Sequence, residues 1–280
     1  MKAFKFAAVV LAAAMLLTAC GKTNNIAVIT REDGSGTRST FTEMFGITVK
    51  GGDGTVTDNT TLEATVANQT EVVITNVSGN KNAIGYISLG SLNDTVKGVS
   101  IDGVSAETAN VKSGAYKAAR EFFIAAKSDV SPAAADFINF ILSAEGQAVV
   151  SKSYIAVNDS AAPYAGEAPA GKITVAGSSS VNPVMEKLKE AYLAVNPNAE
   201  IEIQMSDSSS GLSNATEGLC DIAMSSRKLK DAELETLTPT VIAIDAIVVI
   251  VNSENAISNL SSDEINSIFT GKITDWSDIK

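Results

Sequence analysis

Three stretches of the sequence gather hydroxyls, glycines and main-chain N–H groups at a single turn: Arg31-Glu32-Asp33-Gly34-Ser35-Gly36-Thr37, Gly177-Ser178-Ser179-Ser180-Val181 and Ser206-Asp207-Ser208-Ser209-Ser210-Gly211. A loop of this composition ahead of a helix aims its donors at one point, where the helix dipole adds about half a positive charge. Taken singly, each loop is also an ordinary helix cap, because Ser and Gly are favoured there. Three such loops and one guanidinium, Arg31, can strip the water from a small oxyanion and still hydrogen-bond its oxygens. That chemistry is binding. Catalysis has little to work with: the 280 residues contain no histidine, so the usual general base, the Ser-His-Asp and Cys-His systems and His-containing zinc sites are excluded. No Asp/Glu/Cys group has ligand spacing either, so no metal or cofactor is expected.

Each loop needs a strand before it and a helix after it, and the flanks read that way. Ile26 to Thr30, Ile173 to Ala176 and Ile201 to Met205 are apolar, β-rich runs. After the second loop, Pro183 stands at a first helical residue, and Val184, Leu188, Tyr192 and Val195 fall on one face. Strand, polar loop, helix is the unit of an α/β fold. Thr240 to Val251 predicts a buried strand pair or one long strand. Ser261-Ser262-Asp263-Glu264 is a capping box ahead of Ile265 and Ile268, and Ser131-Pro132 opens a helix bearing Phe137, Ile138, Ile141 and Leu142. Asn158 to Gly171, rich in Ala, Pro and Gly and without either period, predicts a linker.

Length allows one or two domains, and 45% hydrophobic against 19% charged residues is an ordinary globular balance. The net charge of −11 argues against nucleic acid, whose affinity rests on clustered Lys and Arg. Two cysteines, Cys20 and Cys220, are too few for a disulfide framework. Lysines at 2 and 5 and the apolar run Ala7 to Leu17 read as a secretory signal, too short for a membrane span. It ends in Leu17-Thr18-Ala19-Cys20, which resembles the lipobox of bacterial lipoproteins. That resemblance implies cleavage after Ala19, a lipid on the Cys20 sulfur and a location on the outer face of the cell membrane. Losing Lys2 and Lys5 with residues 1–19 takes the net charge from −11 to −13.

Arg31 to Arg38 (REDGSGTR), Ala176 to Pro183 (AGSSSVNP), Ile222 to Arg227 (IAMSSR) and Asn82 to Ser91 (NAIGYISLGS) resemble the phosphate-binding proteins of phosphate ABC transporters, in their Gram-positive lipoprotein form. The likeness covers nearly all of the chain after the signal, and REDGSGTR is its most specific part. In that family the AGSSSV-like segment comes first, and the REDGSGT-like segment follows an ITDW-like one. Here Ile273-Thr274-Asp275-Trp276 lies at the end and REDGSGT near the start. Each segment occurs once, so the order reads as a circular permutation, its old termini joined through Asn158 to Gly171. A truncated or fused gene would lose or duplicate segments.

The resemblance implies a two-lobe periplasmic-binding-protein-like clamp of type II. After the signal at 1–19 and a lipidated tether at 20–23, one lobe would run over 121–239, and the other would join 24–120 to 240–280. Arg31, Ser35, Gly36 and Thr37 from one lobe would close on Ser179, Ser180 and Ser208 from the other, with Asp33 holding Arg31. Some relatives carry an aspartate where this chain has Ser226, so the acceptor of a phosphate proton would be a hydroxyl, Asp207 or, preferentially, Asp245. Arg227 would add positive charge or sit in a solvated salt bridge. The implied partners are inorganic phosphate, the permease subunits of an ABC transporter and the membrane. The alternatives are another tetrahedral oxyanion such as sulfate or molybdate, a lipid-anchored phosphatase, which the missing histidines disfavour, and a sensor or adhesin without transport.

Overall fold

A computed structural model describes residues 24–52 and 54–280. The signal, the tether and Cys20 therefore lie outside the described residues. The strands are β1 (Ala27–Arg31), β2 (Thr48–Lys50), β3 (Val56–Asp58), β4 (Thr65–Ala67), β5 (Ala83–Ser88), β6 (Val96–Ile101), β7 (Ala119–Ala126), β8 (Gly171–Ser178), β9 (Ala199–Ser206), β10 (Ile222–Ser225), β11 (Thr238–Asn252) and β12 (Asn259–Leu260). The helices are α1 (Gly36–Met44), α2 (Thr70–Ser78), α3 (Thr108–Lys112), α4 (Pro132–Leu142), α5 (Ala144–Val150), α6 (Asn182–Val195), α7 (Ser208–Glu217), α8 (Asp231–Leu234) and α9 (Ser262–Phe269).

The three expected strand–loop–helix units are all present, as β1–α1, β8–α6 and β9–α7. Their caps are local chemistry. Ser35 Oγ accepts from Arg38 N at the start of α1, and the Asp207 carboxylate accepts from Ser210 N at the start of α7. Ser261 and Glu264 form the expected capping box on α9, and Ser131 caps α4 with Pro132 in its first turn. In α6 the helix opens one residue before Pro183; Val184, Leu188 and Tyr192 are buried as expected, whereas Val195 is exposed at the helix end.

The sheet runs β4-β1-β5-β11-β7-β10-β8-β9, with β6 on β11 and β12 on β6. Its two ends are parallel, β4-β1-β5 and β10-β8-β9, as crossover helices require. The segment 240–251 is one strand and not a pair: β11 spans 15 residues, pairing antiparallel with β7 over its first half and with β5 and β6 over its second. It can be so apolar because it is covered on both sides, and from Ala246 onward every residue is buried.

Two cores flank the middle of this strand. One packs Phe122, Phe137, Phe140, Leu188, Tyr192 and Ile222 with Ile242 and Ala243. The other packs Phe41, Tyr86, Val99 and Ile268 with Ala246, Ile247 and Val249. The change from one core to the other falls between Ala243 and Ala246, beside Arg120 on β7, which pairs in register with Asp245. A third crossing lies at Ile155, whose N–H and C=O exchange hydrogen bonds with Ile244 at 3.0 and 2.9 Å. The expected linker has neither helix nor strand over residues 158–170, yet it is tied down. Ala144 N donates to Ala162 O, and the Tyr164 hydroxyl donates to Asp136, which also accepts from Tyr192.

Candidate functional site: a hydroxyl cluster between two cores

The three loops meet although they are far apart in sequence. Thr37 Oγ1, in the first turn of α1, lies 2.7 Å from Ser180 Oγ of the β8–α6 loop. It is 3.5 Å from Ser226 Oγ, which in turn lies 3.3 Å from Ser208 Oγ in the first turn of α7 and accepts a bond from Ser178 at 3.0 Å. Arg31, at the end of β1, is 2% exposed and donates through Nη2 to Ser179 Oγ at 3.0 Å. A further loop, which the sequence patterns did not single out, joins them. Thr70, the first residue of α2, has its hydroxyl 3.3 Å from Ser179 Oγ and 3.4 Å from Ser180 Oγ, and accepts from Arg31 Nη1 at 3.4 Å. The N-termini of α1, α2, α6 and α7 thus border one buried set of hydroxyls, each contributing the partial positive end of its dipole.

Glycine lets these elements approach so closely. A Cβ on Gly36 would lie 2.6 Å from Ser208 Oγ, 2.7 Å from Ser226 Oγ and 3.0 Å from the main-chain nitrogen of Arg227. One residue pair away, Ser209 N donates to Gly34 O across the same seam. Behind Arg31, the Tyr86 hydroxyl accepts from Arg31 N at 3.1 Å and bonds Thr30 Oγ1 at 2.8 Å. Its ring stacks on Phe41 at 3.9 Å. Burial pushes this phenol above its ordinary value, so it remains a neutral support.

Four expectations change, for Asp33, Asp245, Asp207 and Arg227. Asp33 does not hold Arg31: its side chain is 95% exposed and pairs with Arg38. Glu32 does so instead, its two carboxylate oxygens accepting from Arg31 Nε at 2.8 Å and Nη2 at 2.7 Å. Asp33 sits in the turn after β1 and points to solvent, whereas Glu32 next to the strand end lies against the guanidinium. Asp245 does not reach the hydroxyls either. Its Oδ2 accepts from Arg120 Nε and Nη2, both at 3.0 Å, and its Oδ1 from Ser88 Oγ at 2.8 Å. Burial pushes its carboxyl up and draws the Arg120 guanidinium down, and each charge offsets the shift of the other.

Asp207 caps α7, binding Ser210 N and Ser210 Oγ, and so turns away from the cluster. Arg227 is in a salt bridge, but not a solvated one: it is 7% exposed and meets Glu233 at two points, both 2.8 Å. Despite partial burial, the Arg227 guanidinium and the Lys230 N–H hold Glu233 below the usual carboxylate range. The structure therefore assembles Arg31, Thr37, Ser179, Ser180, Ser208 and Ser226, with Ser35 and Gly36 in the α1 cap beside them. It adds Thr70 and Arg120. Arg120 had one weak signal in the sequence, a charged Arg120-Glu121 pair inside the apolar run Ala118 to Ala126.

Residues 14–145 and 162–280 match the PBP superfamily domain. The chain belongs to the PBP superfamily. Within that superfamily it is 48% identical over 256 residues to "Phosphate-binding protein PstS 2" of Streptococcus agalactiae, covering 91% of this chain and 87% of that protein. It is 44% identical over 274 residues to the protein of the same name from Streptococcus pneumoniae, covering 94% of each. Among solved structures, that of a phosphate ABC transporter phosphate-binding protein from Streptococcus pneumoniae superposes with a TM-score of 0.72 at 45% identity, over 91% of this chain and all of that one. The fold is accordingly the two-lobe PBP clamp.

Proposed function

We propose that this chain captures inorganic phosphate between its two lobes and delivers it to an ABC importer, without chemistry of its own. The contact between Thr37 and Ser180, 2.7 Å across the seam from loops 143 positions apart, carries the reading. Hydroxyls that already bond one another are exchanged for phosphate oxygens when the lobes reopen and close on the ligand. Arg31 supplies charge, Ser179, Ser180, Ser208 and Ser226 supply hydroxyls, and Ser35, Gly36 and Thr37 supply the α1 N-terminus. The names of the streptococcal relatives support phosphate over other oxyanions.

The lobes divide at Arg120 in β7 and near Asp245 in β11, rather than at 240, because the cores change there. The order of segments is that of a circular permutant, its old termini joined through residues 158–171. Cys20 carries the lipid that holds the protein on the outer face of the membrane. Replacing Cys20 by Ser should release the protein or leave it unprocessed, and an unchanged membrane pool would refute the anchor. For the ligand, calorimetric titration of the unlipidated protein with phosphate, sulfate, arsenate and molybdate is decisive. Phosphate should bind most tightly; sulfate binding as well as phosphate would overturn the assignment.

A further inference from the structure

The hydroxyl cluster has a second guanidinium beside it. Arg120 stands on β7, where the chain passes from one core to the other, and is almost wholly buried. Two of its nitrogens, Nε and Nη2, are spent on Asp245. The third points elsewhere: Nη1 donates to Thr37 Oγ1 at 2.8 Å and to Ser226 O at 3.3 Å. These partners lie on opposite sides of the seam, Thr37 in α1 and Ser226 just after β10. The guanidinium is also steadied from below by the Phe122 ring, 5.0 Å from its carbon.

A buried ion pair is a poor device for stability, because apolar residues of similar volume usually serve as well or better. Its cost is explicable if the charge is needed where it sits. Arg31 alone leaves a doubly charged anion half matched, and Glu32 already neutralises Arg31 at two points. Arg120 is neutralised at two points as well, but with one nitrogen aimed into the cluster it offers a directed donor in a place from which water is excluded.

We propose that Arg120 is a ligand-binding residue of the anion site, and that Asp245 and Ser88 are the positioning residues that aim it between the two lobes. This rests on the reading of the site as a phosphate clamp. An anion entering the cluster takes the Nη1 donor from Thr37 and Ser226, so it is gripped by the crossover strands as well as by the loops of each lobe. Asp245 then acts through Arg120 and not as an acceptor for a ligand proton.

The test compares phosphate titrations of the wild-type protein, Arg120→Gln/Asp245→Asn and Arg120→Lys. The double variant removes both charges together, so no buried charge is stranded, and its fold is checked by thermal unfolding. Wild-type binding of phosphate is read first; if it is absent, the clamp reading itself fails. Given wild-type binding, the folded double variant should bind at least about thirtyfold more weakly. Arg120→Lys, which keeps a cation beside Asp245 but gives up the fork, should recover part of that loss, which a merely structural role would not produce. Binding by the double variant within about threefold of wild type, or a lysine variant no better than the double variant, would overturn the role of Arg120.

Discussion

Thr37 and Ser180 touch hydroxyl to hydroxyl across the seam, and no local signal in the chain relates them. Each stands at the N-terminal end of a helix whose strand belongs to a different parallel group of the sheet. Their meeting depends on how closely α1 can approach the β10 and α7 termini, and Gly36 sets that approach. Gly36→Ala puts a methyl group 2.6 to 3.0 Å from Ser208, Ser226 and the Arg227 nitrogen. The lobes of this variant should fold normally but close poorly, weakening phosphate at least about tenfold. Calorimetry gives the affinity, and small-angle scattering should show less compaction on adding phosphate than in the wild type.

Arg31→Ala should cost about 2 to 5 kcal/mol of binding, roughly thirtyfold or more, since it removes a buried charged donor. The carboxylates beside it separate the two accounts of how it is held. Glu32→Gln should weaken phosphate measurably, while Asp33→Asn should leave the titration unchanged. The reverse pattern would restore Asp33 as the residue that holds Arg31.

Asp245→Asn strands the Arg120 charge in a buried place and should lower stability by about 3 to 5 kcal/mol in urea unfolding without phosphate. Adding Arg120→Gln should recover much of that loss, as expected for a coupled pair. In titrations of the folded single variant, the preference for phosphate over sulfate should persist. A selective loss of that preference would make Asp245 the acceptor of the phosphate proton after all.

Glu233, whose carboxyl is held low beside Arg227, gives an acid signature. A depressed folded value means stability that is complete above the unfolded carboxylate range, about 4.3, and is lost as pH falls through the folded value. Replacing Glu233 by Gln should lower the melting temperature near neutral pH and narrow its distance from wild type as the solution is acidified below about pH 4. A distance that stays constant with pH would assign the pair no linked proton.

Rebuilding the family order, with 172–280 followed by 24–157, tests the permutation. The rebuilt chain should fold and bind phosphate. The docked linker predicts a modest penalty, because Tyr164 leaves Asp136 and the rings of Phe140 and Tyr192. An insoluble product would mean that residues 158–171 are required by the fold, or that the segments are wrongly matched.

Much of this protein is local and therefore visible in one dimension. Hydrophobic period, a capping residue and a following helix are properties of neighbours within a few positions. That is why the strand–loop–helix units at Ser35, Ser179 and Ser208, the capping box at Ser261 and the irregular segment at 158–170 could be read directly. The runs of hydroxyls and glycines beside Arg31 were enough to point to an anion site. Other choices were made by the sheet. Thr70 belongs to the site because β4 lies beside β1 and delivers the start of α2 to Ser179, 109 positions away. Glu32 rather than Asp33 holds Arg31 because the turn after β1 sends the second carboxylate into water. Asp245 binds Arg120 because β7 and β11 pair in that register, 125 positions apart in the chain, and the same register turns an expected ligand into a support for one. Contacts of this range depend on strand order and register, which tertiary packing selects and which no pattern of adjacent residues records.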